Sequence, residues 1–177
     1  MNYNELSAKA HENAVSHGFW EKRLSKEHCL MLILTEVSEL VEADRNNRHA
    51  DIAAYQNELR NGGFDRCFKA HVKDTVEDEL ADIAIRLFDF AGAMGIDFTK
   101  MHPCGYYRAF DKFDFAENAF ALCKGLSRDV IGIEKRILFG LDYVKAWSKE
   151  LGVPLESHVR LKMMYNASRE TRHGKQY

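Results

Sequence analysis

The chain has 177 residues, of which 46% are hydrophobic and 29% are charged, and its formal net charge is −2. This balance is typical of a globular chain long enough to bury a core, and it excludes a disordered polymer. No run of lysine and arginine is long enough to indicate a nucleic-acid-binding surface, so we expect no nucleic-acid partner.

Apolar residues recur at three- and four-residue spacing along most of the chain, which predicts an all-α fold. The predicted helices, in chain order, cover about 4–16, 25–48, 50–60, 67–95, 110–126, 130–151 and 154–169. The sequence Asn61-Gly62-Gly63 predicts a break between the third and the fourth helix, and Gly105 and Gly152 predict two more. We predict that the whole chain, 1–177, forms one helical domain.

The four cysteines exclude two common uses of this residue. Cys29, Cys67, Cys104 and Cys123 are too far apart for a zinc knuckle or a CxxC redox motif. Free thiols in a reducing cytosol are the simplest interpretation. The longest apolar run, 29–34, is too short to span a bilayer, and the N-terminal residues do not form a signal peptide. We therefore expect a cytoplasmic protein without a membrane partner.

The second predicted helix carries two glutamates three residues apart. Glu36 and Glu39 share one face of that helix, and Glu36 falls on its apolar side. Glutamates on helices usually face solvent, and Ser38, Glu42 and Arg45 form such a face here. An unpaired carboxylate in an apolar stripe has a large desolvation cost, which a bound cation would remove.

The fourth predicted helix repeats this spacing with Glu79 and Asp82, and apolar residues fill most of its remaining circumference. Arg86 lies one turn beyond Asp82, so an ion pair of Arg86 with Asp82 or Glu79 is a purely structural alternative. Two such pairs on two apolar helices favour a functional interpretation. Four carboxylates across a helix pair form an all-oxygen ligand set that suits Mg²⁺.

These acidic pairs resemble the signature of a known superfamily. Glu36-x-x-Glu39 followed by Glu79-x-x-Asp82 is similar to the ExxE…ExxD motif of the MazG-like all-α nucleoside triphosphate pyrophosphohydrolases. The C-terminal sequence KMMYNASR at 162–169, with HGK at 173–175, resembles the closing segment of many MazG-like proteins. The likeness covers roughly 5–98 and 156–177, and a helical insert of about 99–155 separates the two parts. We interpret the insert as added core or interface.

The resemblance implies hydrolysis of a (deoxy)nucleoside triphosphate at the α–β phosphate bond to the monophosphate and pyrophosphate, a nucleotide-pool-cleaning reaction. Glu36, Glu39, Glu79 and Asp82 would be the catalytic, metal-holding residues for Mg²⁺, with Mn²⁺ able to substitute. Either the metal would lower the pKa of the attacking water, or one of the glutamates, which the sequence does not identify, would accept the proton of the water as general base. A homo-oligomer is implied and a dimer favoured, although the insert leaves the assembly open. The alternative is a non-catalytic helical nucleotide-binding or regulatory protein that retains the acidic cage.

Four further residues are candidates for substrate binding. Lys162, Asn166 and Arg169 share one face of the last predicted helix through their i, i+4, i+7 spacing. They form either a solvated basic helix end, stabilised by the helix dipole, or a cationic clamp on the triphosphate, which the resemblance favours. Trp20, ahead of the first acidic helix, is a candidate to stack on a base, although packing is the commoner role of such an aromatic.

Overall fold

The computed structural model describes residues 1–102 and 109–174, with the backbone alone at 172 and 173. This part of the chain is helical and contains no β-strand, so the predicted all-α fold is confirmed. The α-helices are α1 (Tyr3–Ser16), α2 (Lys26–Arg45), α3 (Ile52–Leu59), α4 (Phe64–His71), α5 (Val76–Ala93), α6 (Phe115–Leu126), α7 (Ile133–Glu150) and α8 (Leu155–Ala167). Short 3₁₀ turns occur at Phe98–Lys100, Phe110–Lys112 and Thr171–Gly174.

The helix predicted at 67–95 is wrong in one respect, because the structure divides it into α4 and α5. Asp74 adopts a φ of 61°, in the left-handed region that ends a right-handed helix. Thr75 then begins α5, since its side-chain oxygen accepts a hydrogen bond from the Asp78 N–H at 3.3 Å. Val72 and Val76 are buried on either side of the break. The apolar spacing therefore continues across a break that has no glycine or proline to mark it.

Two of the three predicted glycine breaks are confirmed. The segment between α3 and α4 contains Gly62 and Gly63, and Gly152, with a φ of 72°, follows α7. Gly105 lies outside the described residues. The helix predicted from 110 begins at Phe115, where Asp114 and Glu117 form a reciprocal capping box.

Helix α5 is the centre of the molecule and packs against α1, α2, α7 and α8. Its apolar residues are buried, among them Leu80, Ile83 and Leu87. A polar side chain on this helix is consequently enclosed by other helices, where it needs a partner. Among the described helices, none is long and apolar enough to cross a membrane.

The insert belongs to the same core. Residues of α6 and α7, including Leu122, Leu141 and Trp147, are buried in one cluster with residues of α2 and α5. Gly140 allows α7 to approach α5 closely, since a Cβ there would lie 3.0 Å from a side-chain carbon of Leu87. The segment predicted as an insert therefore contributes to the core.

Candidate metal centre

A cavity of about 340 Å³ lies where α1, α2, α5 and α8 meet. Seven of the eight predicted site residues line it, although they come from three helices and lie up to 133 positions apart in the chain. These seven are Glu36, Glu39, Glu79, Asp82, Lys162, Asn166 and Arg169. The fold therefore brings together residues that the sequence could only place on separate helices.

Three carboxylates form the centre of the cavity. Glu36 and Glu39 from α2 and Glu79 from α5 each present an oxygen, and these oxygens lie within 4.8 Å of one another. Glu36 is 4% exposed and Glu79 is 3% exposed, whereas Glu39 is open to solvent. The i, i+3 spacing on α2 and the packing of α2 against α5 bring the three together.

Glu79 is the most unusual of the three. Its Oε2 is buried and has no hydrogen-bond partner among the residues that the structure describes. Burial and the nearby Asp82 carboxylate raise the pKa of Glu79 to about 9. A cation would supply the missing partner and displace the proton. This carboxyl and its two neighbours fit a hard divalent cation such as Mg²⁺, which prefers oxygen ligands.

Asp82, the fourth predicted ligand, falls outside this group of three and pairs with a lysine. Lys162 Nζ lies 2.6 Å from Asp82 Oδ2 and 2.7 Å from Asp78 Oδ2. Lys162 is only 5% exposed, so the interpretation of this position as a solvated helix end is wrong. Burial lowers the pKa of Lys162, but the carboxylates of Asp82 and Asp78 outweigh that effect and raise it above its ordinary value. Lys162 is therefore a buried cation bound by two acids.

Of the other residues predicted on this helix, Asn166 lies on the same face of α8 as Lys162, whereas Arg169 lies just beyond the helix end at Ala167. Asn166 is buried, and its Oδ1 has no hydrogen-bond partner within the described parts of the chain. Arg169 is half-buried, and its guanidinium carbon lies 5.7 Å from the centre of the Tyr165 ring. Both side chains border the cavity, so they can contact a molecule bound to the carboxylates.

Trp20 does not line this cavity, and the structure shows it in a packing role. Its indole Nε1 donates to Asp89 Oδ1 at 2.9 Å, and its ring packs edge-on against His11. A buried indole N–H requires such a partner, which fixes the ring away from the cavity. Its neighbour Phe19 borders the cavity instead.

Arg86 forms an ion pair between helices. Its Nε donates to Glu36 Oε1 at 2.9 Å, so the pair joins α5 to α2. The structural alternative predicted from the sequence, a pair within α5 to Asp82 or Glu79, is not the arrangement found. Spacing along one helix indicates which residues share a face but carries no information about a partner on another helix.

Several residues of the site were not predicted. Asp78 is i, i+4 from Asp82, and Asp89 is i, i+7 from it, so the helical spacing contained a signal for both. Asp78 and Glu79 also form a second close group with Asp74, although Lys162 already binds Asp78. The position of Asp74 depends on the unpredicted break before α5, which no glycine or proline marks.

Comparison with known proteins does not identify this arrangement, since no protein-family model, curated protein or solved structure gives a match to the chain. The function is consequently inferred from the cavity itself and from the acidic motifs. The cavity combines a carboxylate group that fits a cation with side chains that fit an anion. That combination is what a metal-bound phosphate ester requires.

Proposed function

We propose that this chain is a Mg²⁺-dependent nucleoside triphosphate pyrophosphohydrolase of the MazG-like superfamily. It would hydrolyse a (deoxy)nucleoside triphosphate between the α and β phosphates, releasing the monophosphate and pyrophosphate. One observation carries the proposal: Glu36, Glu39 and Glu79 converge within 4.8 Å in a cavity that also has lysine, arginine and asparagine side chains on its wall. The order of the acidic motifs, ExxE and then ExxD, supports it.

The residues present fit the metal that this chemistry needs. Glu36, Glu39 and Glu79 would hold Mg²⁺ or Mn²⁺, which when bound neutralises phosphate charge and acidifies the attacking water. The ion pair with Lys162 holds the Asp82 carboxylate beside the three as a fourth ligand candidate. A glutamate of this set also provides a base to accept the proton of the water.

The α8 face supplies the groups for the anionic part of the substrate. A lysine ammonium has three donors, and Asp78 and Asp82 take two of those of Lys162. Asn166 follows on the same face, Arg169 lies just beyond the end of α8, and both border the cavity. We propose that these three residues contact the triphosphate. A homo-oligomer, most simply a dimer, and a cytoplasmic location complete the proposal.

The test is pyrophosphate release from a panel of ribo- and deoxyribonucleoside triphosphates with Mg²⁺. We expect turnover of at least one triphosphate, restored by Mn²⁺ and abolished by excess EDTA. Undiminished turnover in EDTA would overturn the metal mechanism. Saturable binding of every triphosphate without product would instead support the non-catalytic nucleotide-binding protein.

A further inference from the structure

Arg86 lines the cavity with most of its hydrogen-bond donors unused by the described residues. A guanidinium carries five N–H groups in one plane. The Arg86 Nε–H donates to Glu36, and its two terminal amino groups have no hydrogen-bond partner among the described residues. Its side chain is 23% exposed and borders the cavity. Four N–H groups are therefore available at the edge of the acidic centre.

Two contacts fix the orientation of this guanidinium. Glu36 holds the Nε edge at 2.9 Å, and the Phe19 ring lies against the group, with its centre 5.8 Å from the guanidinium carbon. A fixed, planar pair of amino groups matches the spacing of two oxygens on one phosphate. The side chain is already ordered in the folded protein, so binding an anion requires little further loss of its conformational entropy.

Arg86 remains positively charged although it is largely buried. Burial lowers the pKa of Arg86, while the carboxylates of Glu36, Asp82 and Asp89 raise it, with the net result above the ordinary value. Lys162 is a cation as well, but Asp78 and Asp82 enclose it. Arg86 thus contacts Glu36, one of the three central carboxylates, through Nε alone. Its terminal amino groups stay available to an anion.

We propose that Arg86 binds a phosphate group of the substrate through its two terminal amino groups. That contact would place a phosphate oxygen beside Glu36, Glu39 and Glu79, where the cation is held. The inference rests on the proposed function, because it assigns a residue to the anionic part of the same substrate. Arg86 then has two roles, since its Nε continues to hold Glu36 while the opposite edge of the guanidinium binds the phosphate.

The experiment measures binding of inorganic pyrophosphate to the full chain by calorimetry, in the presence of Mg²⁺. Arg86→Lys keeps the positive charge near Glu36 but loses the planar pair of donors. We expect pyrophosphate to bind this variant at least about tenfold more weakly than the wild type. Arg160→Lys is the matched control, because Arg160 pairs with Glu156 on the exposed face of α8, outside this cavity. It should bind pyrophosphate as the wild type does.

A second readout separates phosphate binding from support of Glu36. Mn²⁺ binding without pyrophosphate, followed by electron paramagnetic resonance, should change less than about twofold in Arg86→Lys, because the charge beside Glu36 remains. Equal losses of Mn²⁺ and pyrophosphate binding would show that Arg86 acts only through Glu36, and would overturn the proposal. If Arg86→Lys does not fold, Arg86→Gln is measured in its place. Because glutamine also removes the charge beside Glu36, the expectation for this variant is a loss of pyrophosphate binding that is larger than any loss of Mn²⁺ binding.

The outcomes also separate this inference from the proposed function. Normal pyrophosphate binding by a folded Arg86 variant would overturn the role of Arg86 even if the wild type hydrolyses triphosphates. A wild type that does not bind pyrophosphate would overturn it too. Weaker binding by the Arg86 variant, together with a wild type that turns over no triphosphate, would support the phosphate contact and leave the proposed reaction without support.

Discussion

Helices α5 and α7 are both 18 residues long and both cross the core, yet they bury different kinds of side chain. Helix α7 buries Ile137, Val144 and Trp147, whose contribution is removal of apolar surface from water. Helix α5 buries apolar residues as well, but it also encloses Asp78 and Glu79, which are 1% and 3% exposed. Buried acids reduce stability unless they are paired. The comparison indicates that the buried residues of α7 stabilise the molecule, whereas the buried acids of α5 lower its stability unless they are paired, as in the metal site proposed above.

The largest expected effect lies on the α7 side of the comparison. Trp147 is 1% exposed, so Trp147→Ala should lower the free energy of unfolding by about 3–5 kcal/mol. Urea denaturation measures this change. Phe120→Ala is the control within the insert, because Phe120 is 65% exposed and its loss should have little effect. A loss for Trp147→Ala as small as the loss for Phe120→Ala would show that α7 is not packed in the core.

The next effect concerns the buried ion pair between α5 and α8. Lys162→Met removes the cation from Asp78 and Asp82 at nearly constant side-chain length, and should cost about 3 kcal/mol of stability. Arg169→Ala, just beyond the end of α8 and half-buried, should leave the melting temperature nearly unchanged. Equal melting temperatures for Lys162→Met and the wild type would contradict a stabilising ion pair of Lys162 with Asp78 and Asp82.

At the carboxylate group between α2 and α5, Glu39 of α2 should matter for turnover rather than for stability. Glu39→Gln should reduce kcat/KM for the preferred triphosphate by at least about a hundredfold, a loss of about 2.7 kcal/mol. The fold should survive, because Glu39 is exposed and its replacement relieves repulsion with Glu36 and Glu79. Glu42→Gln, on the solvent face of α2, provides the control. Near-normal turnover by Glu39→Gln would show that Glu39 is not a metal ligand.

The smallest expected effect is the pH dependence of the metal-free protein. The pKa of Glu79 rises from 4.5 to about 9 on folding, so across that interval the unfolded chain releases a proton that the folded chain retains. Stability should therefore fall as pH rises from about 4.5 to about 9, by at most about 1.4 kcal/mol per pH unit. The charged and titratable groups acting on Glu79 are Asp82, Lys162, Asp78 and Glu36.

Melting curves in EDTA at several pH values measure how Tm changes with pH. Glu79→Gln should reduce this dependence of Tm on pH. Burial also raises the pKa of Glu36, so a smaller slope of the same sign should remain in that variant. Added Mg²⁺ should stabilise the wild type more at high pH than at low pH, because binding requires the deprotonated carboxylate. A Tm that rises with pH across this interval would contradict the assignment.

The sequence predicted the helical class, most helix positions and the residues of each acidic pair, because these depend on local spacing. It did not predict the break at Asp74, since Val72 and Val76 continue the apolar pattern across it. It also did not predict the partners of Lys162 and Arg86. Both contacts join helices that are distant in the chain, and a single helical wheel contains no information about them. The helix face that carries a charged residue was therefore predictable, as for Glu36, but a partner on another helix was not.

The Lys162–Asp78 contact has a consequence for the order in which the protein folds. The two residues are 84 positions apart, so a long loop must close before they meet. Until α8 docks, the two acids of α5 lack their cation, even if α1, α2 and α5 have already associated. Docking of α8 is favoured both by its apolar contacts and by this charge pairing, and it completes the cavity wall. During synthesis the acidic centre emerges from the ribosome well before its lysine. A hydrogen-exchange pulse during refolding should accordingly find α5 protected no later than α8.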